Sequence, residues 1–277
     1  KEQAERFGAE FEHGLVEEAR LESDPIELSL STGEIIRTRA FVIATGASAR
    51  WVGAEGEEEL MGYGLSTCAT CDGAFHRDDH VLIVGGGDSA IEEALFLTKF
   101  ADSVTVVHRR KELRASEIMA QRARENPAIE FAWNTELLAI EGSQAEGVTG
   151  AELVTHPEGH PAEKADAGVE VERRTVDVGG IFYAIGHTPN TAFLEDTGVA
   201  LDPDGYVETA SAESEWATTA TDVQGVFAAG DVMDPDYQQA VTAAGMGSMA
   251  ALDAESWLHS APALADRGVT TSVEADD

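Results

Sequence analysis

The sequence is poor in cysteine and in positive charge. Two cysteines in 277 residues exclude a small disulfide-stapled scaffold. Only 18 residues are Lys or Arg against 52 Asp or Glu, a formal net charge of -34. A field of that sign repels phosphate backbones and anionic headgroups, which argues against nucleic-acid and membrane-surface roles. No apolar run reaches the length of a membrane span and no charged-then-apolar signal segment opens the chain, so the expected location is the cytoplasm. Lysine is scarcest of all, with four (Lys1, Lys99, Lys111 and Lys164) beside 14 arginines. Acidic residues are spread along the chain rather than massed in a tail, which predicts a halophilic surface suited to a salt-rich, haloarchaeal cytoplasm. The first residue is Lys1 rather than Met, and a fragment is expected. The acidic end Val273–Asp277 is predicted to be disordered.

What is present is 43% hydrophobic content and 27 glycines, a composition suited to a nucleotide-binding α/β protein of one large or two ordinary domains. Ile26–Leu30 alternates apolar and polar residues, and Ser31-Thr32-Gly33-Glu34 turns it back into Ile35-Ile36, a predicted hairpin. Three apolar runs end at glycine: Phe41–Ala44 at Thr45-Gly46, Ile181–Ile185 at Gly186, and Gly225–Ala229 at Gly230-Asp231. Buried strands that deliver backbone to a ligand read this way, and so do plain strand-to-loop turns. Gly142–Ala167 is polar and reads as a surface hairpin or loop between strands near Ala151–Val154 and Val169–Val176.

The clearest unit is Val81–Val84, a buried strand, then Gly85-Gly86-Gly87-Asp88-Ser89-Ala90, then Ile91, Ala94, Leu95 and Thr98 at helical spacing, then the strand Val104–Val107. Within such a βαβ frame, Gly85-x-Gly87-x-x-Ala90 is a dinucleotide fingerprint. The first glycine permits the turn, the second lets a pyrophosphate approach the backbone, and the small third residue lets helix pack on strand. Where an NAD site would carry an acidic residue, the chain has His108-Arg109-Arg110 and then Arg114, suited to a 2′-phosphate, so NADPH is expected rather than NADH.

Cys68-Ala69-Thr70-Cys71-Asp72 holds both cysteines. A pair at this spacing can cycle between dithiol and disulfide, and Asp72 could supply a proton to a leaving thiolate. Other readings share these letters. Cys68, Cys71, His76 and His80 could bind zinc, the cysteines could be inert and buried, and Asp72-Gly73 could be only a turn. Gly230-Asp231 could accept hydroxyl protons from a ribityl chain or ribose, and the helical stretch entered through Gln239-Ala240 could meet a flavin or phosphate.

Together these residues resemble the low-molecular-weight thioredoxin reductases, flavoprotein disulfide reductases of pyridine nucleotide-disulfide oxidoreductase class II. Cys68-Ala-Thr-Cys71-Asp72-Gly73, Gly85-Gly-Gly-Asp88-Ser89-Ala90, His108-Arg-Arg110 with Arg114-Ala115, Ala184-Ile-Gly186-His187-x-Pro189-Asn190 and Gly225-Val-Phe-Ala-Ala-Gly230-Asp231 occur in the family's order over nearly the whole chain. The resemblance implies an α/β fold of two Rossmann-like, three-layer FAD/NAD(P) domains. An NADPH domain, 49–183, is inserted into an FAD domain formed by 1–48 and 184–277. It implies that Cys71 faces the flavin as the charge-transfer thiolate, that Cys68 attacks the substrate disulfide and that Asp72 is the acid. Electrons then run from NADPH through FAD to the Cys68/Cys71 disulfide and out to thioredoxin or a similar small dithiol protein, within a homodimer whose NADPH domain rotates. Thr45, Gly46, Gly186, Gly230, Asp231, Gln239 and Ala240 become the expected FAD contacts. Gly85, Gly87, Asp88, Ser89, Ala90, His108, Arg109, Arg110 and Arg114 become those of NADPH. The chain departs from the family in one respect: no strand-Gly-x-Gly-x-x-Gly-helix unit precedes Phe41, which predicts an amino-terminally truncated FAD domain. The alternatives are a reductase of another disulfide acceptor and a non-enzymatic NADPH-binding remnant.

Overall fold

A computed structural model describes residues 1–209 and 218–260; the expected disorder at Val273–Asp277 lies outside them. The chain divides into two compact units, one of residues 1–48 and 188–277, the other of residues 49–187. The second crossing falls after His187 rather than after Tyr183, because Ile185-Gly186 stays tied to the inserted unit where the Arg50 N–H donates to the Gly186 carbonyl (3.0 Å).

In chain order, the first unit opens with α1 (Glu2–Glu5), β1 (Val16–Arg20), β2 (Ile26–Leu30), β3 (Ile35–Thr38), β4 (Phe41–Ile43) and β5 (Ala47–Ala49). The inserted unit holds α2 (Glu57–Leu60), β6 (Leu65–Ser66), α3 (Ala69–Asp72), β7 (His80–Gly85), α4 (Asp88–Leu97), β8 (Ser103–His108), α5 (Glu117–Glu125) and β9 (Ile129–Trp133), then β10 (Thr135–Ser143), β11 (Gly147–Thr155), α6 (Pro161–Asp166), β12 (Glu172–Asp177) and β13 (Gly180–Ala184). β14 (His187–Pro189) leads back to β15 (Val226–Ala228) and α7 (Ala240–Ser260).

The inserted unit is built on a parallel sheet in the order β6-β13-β7-β8-β9. Most residues of its strands are apolar because both faces are covered. The two-residue side-chain period sends Val81, Ile83, Val104 and Val106 to one face, where Ile91, Ala94 and Leu97 of α4 and Ala123 of α5 pack. Leu82, Val84, Ile181 and Tyr183 point the other way, against Leu137, Ile140, Val148, Ala151 and Leu153. The α4 face differs slightly from the sequence expectation: Ala90, Ile91, Ala94 and Leu97 are buried, while Leu95 and Thr98 are half-buried. On the second face the expected strands near Ala151–Val154 and Val169–Val176 are β11 and β12, joined by a connection that holds α6, and residues 142–143 and 147–155 of the polar stretch belong with them to an antiparallel sheet β10-β11-β12 that forms a layer. The outward-facing residues of this sheet make its sequence look loop-like, whereas its inward residues seal the parallel sheet.

In the first unit β1, β2 and β3 form an antiparallel meander, and Ile26, Leu28 and Leu30 alternate inward as the hairpin pattern predicts. β4 pairs in parallel with β15, Phe41 opposite Val226 and Ile43 opposite Ala228. α7 packs Ala250 and Ala254 near Phe227 and Ala229.

Candidate active site

β6 and α3 carry the sulfur chemistry. Cys68 and Cys71 are joined in a disulfide. Cys68 caps α3, and the Cys71 N–H donates to the Cys68 Sγ (3.2 Å). After reduction that same amide meets a thiolate, which favours the charged form. Cys68 is half-buried, and Thr70, Cys71, Ala74 and Phe75 are exposed. The four residues of the zinc alternative do not converge. His76 is buried edge-on against Phe182 with Asp79 at 3.4 Å, and His80 faces Thr105 Oγ1 (2.8 Å) and the Asp177 carbonyl. Among the described residues no group of three or more His, Cys, Asp or Glu could hold a metal ion.

Asp72 is oriented by a residue the motif does not contain. The Ser66 hydroxyl donates to Asp72 Oδ2 (2.6 Å) and its oxygen accepts the Cys68 N–H (3.0 Å). Ser66 is buried at the end of β6, so this one hydroxyl ties the acid to the backbone of the first cysteine. Ser66→Ala is expected to slow disulfide turnover on the order of tenfold by releasing Asp72, at a stability cost of about 1 kcal/mol. Ser66→Thr, which keeps the hydroxyl, should recover most of the rate; an unchanged rate in S66A removes the tether from the mechanism.

The glycine turn follows β7. A Cβ at Gly85 would lie 2.5 Å from the Ala184 carbonyl oxygen and 2.6 Å from the Ala90 Cβ, so turn, β13 and α4 meet there with no room for a side chain. Ala90 is buried in that contact, whereas Asp88 and Ser89 are exposed. At Gly87 a Cβ would meet nothing within 4 Å, so the backbone at the start of α4 is open to a ligand. No side chain caps that helix, and its first amides keep the character that suits a pyrophosphate.

The arginine loop is fastened to this turn. Arg114 and Ala115 donate their N–H groups to the Gly86 carbonyl (2.7 and 3.1 Å), and the Ser116 N–H and hydroxyl both donate to Asp88 Oδ1 (2.9 and 2.8 Å). Those two Ser116 donors hold the Asp88 carboxyl below its ordinary range. Arg109, Arg110 and Arg114 are exposed and make no ion pair among the described residues, although the chain offers an excess of carboxylates. His108 is placed differently from its arginine neighbours. It is buried beside Gly86, with one ring nitrogen at the Gly85 carbonyl and the other at the Glu112 carbonyl, 2.9 Å each. Burial pushes it below the ordinary imidazole range, more than the two carbonyls raise it, and Arg110 and Arg114 add to the lowering. It shapes the turn through backbone contacts, whereas the three arginines present free charge.

In the first unit, β4 and β15 end at one sheet edge, which brings Thr45-Gly46 beside Gly230-Asp231; the Ala229 N–H donates to the Ile43 carbonyl (2.9 Å). Ligands of α/β sheets sit at such carboxyl edges. Asn190 braces the edge: it receives the Thr45 hydroxyl proton on its carbonyl (2.8 Å) and donates to the Thr45 and Gly46 carbonyls (2.9 Å each). Asp231 Oδ1 is buried without a hydrogen-bond partner. A carboxylate oxygen in that state is costly unless a donor arrives, so the residues present fit a hydroxyl-bearing cofactor such as FAD. The Gln239 carbonyl receives the Thr242 hydroxyl (2.7 Å), and Ala240 starts α7. Gly186 belongs to the inserted unit. Residues 4–247 match the family described as pyridine nucleotide-disulphide oxidoreductase.

The chain belongs to that family. It is 47% identical over 258 residues to a thioredoxin reductase of Mycolicibacterium smegmatis, covering 93% of this chain and 76% of the relative. It is 46% identical to a bifunctional thioredoxin reductase/thioredoxin of Mycobacterium leprae, covering 93% of this chain and 52% of that protein, so it spans about half of that relative's length. Among solved structures it resembles a thioredoxin reductase from Giardia duodenalis (TM-score 0.80, 37% identity, 93% of this chain and 78% of that one) and one from Streptococcus pyogenes MGAS5005 (TM-score 0.79, 35% identity, 94% and 78%). These relationships make this pyridine nucleotide-disulphide oxidoreductase an NADPH-dependent flavoprotein disulfide reductase of two Rossmann-like domains, with FAD and NADPH as its cofactors.

Sequence reasoning missed Ser66, the bracing role of Asn190, and Asp234, whose Oδ1 accepts the Asp236 and Tyr237 N–H groups while its Oδ2 is buried without a partner. A serine two residues before a cysteine pair was the only available signal for Ser66; nothing local marked the others.

Proposed function

We propose that this chain reduces thioredoxin, or a similar small dithiol protein, at the expense of NADPH, with Cys68 and Cys71 as the exchanging pair. The observation that carries this reading is the formed Cys68–Cys71 disulfide in the same unit as an open glycine turn flanked by unpaired arginines. The inserted unit acts as the NADPH domain, and residues 1–48 and 188–277 act as the FAD domain. Bound FAD supplies the two-electron chemistry that joins a hydride donor to a disulfide; Asp231, Gly230, Thr45, Gly46, Gln239 and Ala240 would hold it.

In the reduced pair the Cys68 thiolate attacks one sulfur of the substrate disulfide. A mixed disulfide forms, the substrate S–S bond breaks, and Asp72 gives a proton to the departing sulfur. The Cys71 thiolate then attacks the Cys68 sulfur, which restores the Cys68–Cys71 bond and frees the second substrate thiol. The substrate gains two electrons and the cysteine pair loses two. The exposed surface of Thr70, Cys71, Ala74 and Phe75 supports docking of a protein substrate. NADPH oxidation followed with oxidised thioredoxin, and separately with a low-molecular-weight disulfide, tests the assignment; turnover with the small disulfide alone overturns the protein-substrate reading.

Nucleotide choice rests on Arg109, Arg110 and Arg114. Replacing Arg109 and Arg110 together by Ala is expected to erase the preference for NADPH over NADH, a loss on the order of 100-fold in kcat/KM with NADPH from two charge-assisted contacts, with kcat/KM for NADH nearly unchanged. Equal ratios in mutant and parent would refute the phosphate role. The -34 charge supports a haloarchaeal, salt-adapted cytoplasmic enzyme. Exposed Val241, Met249 and Leu252 on α7 support a homodimer, to be checked by sedimentation. No helix among the described residues is long and apolar enough to cross a membrane.

A further inference from the structure

The backbone of Arg109 and Arg110 is held by residues far along the chain from the glycine turn. The His160 N–H donates to the Arg109 carbonyl (2.9 Å), and the Asn134 N–H donates to the Arg110 carbonyl (3.2 Å). Gly159 closes on the same peptide: a Cβ there would lie 2.8 Å from the Arg109 carbonyl oxygen. Gly159 and His160 belong to the connection between β11 and α6, and Asn134 to the turn between β9 and β10, all within the inserted unit. Each of the three takes left-handed backbone, Asn134 at φ 52°, Gly159 at 76° and His160 at 48°. That conformation is uncommon for any residue but glycine and persists where the surroundings impose it. We propose that the connection 156–160, together with Asn134, is a specificity buttress that fixes where Arg109 and Arg110 stand and so sets the preference for a 2′-phosphorylated nucleotide. Asn134, Gly159 and His160 are positioning residues that act through the two arginines.

The buttress is itself fastened. The His156 N–H donates to the Asn134 carbonyl (3.1 Å) and the Asn134 side-chain amide donates to the Pro157 carbonyl (3.0 Å), so turn and connection are cross-tied. The Gly159 N–H closes the connection onto the His156 carbonyl (2.8 Å). At its far end the Ala162 N–H donates to Glu136 Oε2 of β10 (2.9 Å), and Lys164 Nζ meets Glu158 Oε2 (3.0 Å). The arginine loop is therefore anchored at both ends, at Arg114 and Ala115 by the Gly86 carbonyl and at Arg109 and Arg110 by this connection. A binding group whose backbone must be ordered on contact loses affinity to that ordering, whereas a backbone already in place leaves only the side-chain rotamers to settle. The pyrophosphate and nicotinamide are common to NADH and NADPH, and on the proposed reading they lie at the glycine turn and beyond it. Loosening the buttress should then weaken recognition of the 2′-phosphate and leave the shared parts of the nucleotide alone.

The inference deepens the proposed function and rests on Arg109 and Arg110 meeting the 2′-phosphate. The full chain, as parent, Gly159→Ala and Asn134→Gly, is titrated calorimetrically with NADP⁺ and with NAD⁺, and the ratio of the two affinities reads the 2′-phosphate alone. In G159A the added methyl displaces the Arg109 peptide, and the ratio should fall on the order of tenfold, the equivalent of one charge-assisted contact, with NAD⁺ affinity held within about twofold. N134G keeps a residue suited to left-handed backbone and removes only the side-chain tie to Pro157, so a fall of about threefold is expected; it decides the matter should G159A fail to fold. A ratio that stays at the parent value, whether or not both affinities drop together, assigns the connection a structural role only and overturns the buttress. The parent separates this failure from that of the proposed function. A parent that binds NADP⁺ and NAD⁺ alike overturns the phosphate role of the arginines and the buttress with it, whereas a discriminating parent with equally discriminating variants overturns the buttress alone.

Discussion

Replacing Cys68 or Cys71 by serine is expected to lower NADPH-driven reduction of a protein disulfide by on the order of 10^3-fold or more, because no other sulfur nucleophile exists in the chain. The two variants should differ in what they leave behind. C71S keeps the attacking sulfur but has no second thiolate to resolve the mixed disulfide, so a covalent complex with the substrate should accumulate. C68S keeps Cys71, and no complex of that kind should form at Cys68. Oxidation of NADPH with a one-electron artificial acceptor should survive in both, since neither change touches the glycine turn or the arginine loop. Steady-state NADPH assays and intact-mass measurement of the trapped species check these outcomes. Turnover equal to the parent in both variants would remove the pair from the mechanism.

Two neighbouring glycines should respond to the same substitution in opposite ways. In Gly85→Ala the new methyl meets the Ala184 carbonyl oxygen at 2.5 Å and the Ala90 Cβ at 2.6 Å, where two parallel strands and a helix converge and no flexible side chain can yield. The expected loss is about 3 kcal/mol, seen as a fall in Tm of about 10 °C. Gly87→Ala places its methyl in open space, at an ordinary backbone φ of -90°, so stability should change by less than about 0.5 kcal/mol. On the proposed reading that space takes the pyrophosphate, and NADPH affinity should fall on the order of 10- to 100-fold. Thermal melting and a nucleotide titration separate the two effects. Parent-like NADPH binding in G87A would move the pyrophosphate elsewhere.

The βαβ unit was legible because its signals are local. The apolar run Val81–Val84, the glycines after it and the small Ala90 lie within ten residues, and turn geometry with close packing demands those residue types there. The hairpin of Ile26–Leu30 was legible for the same reason, through its two-residue alternation. The β10-β11-β12 layer was only half legible. A strand with one solvated face alternates weakly when bulges shift its register, as they do in β10 between Leu137 and Ala139 and between Glu141 and Gly142. The place of β13 between β6 and β7 could not be read at all, since strand neighbours nearly a hundred residues apart leave no trace in either segment.

The sequence alone determined which chemistry is available: two sulfurs three positions apart, a glycine turn between strand and helix, arginines concentrated where a 2′-phosphate would lie, and a surface charge that repels polyanions. Each is a matter of residue type and short spacing, which covalent connection enforces. Tertiary structure decided which groups act together. Ser66 reaches Asp72, Asn190 braces Thr45, and Asp231 keeps an oxygen dry. Such pairings depend on how packed elements meet and on how much water they exclude.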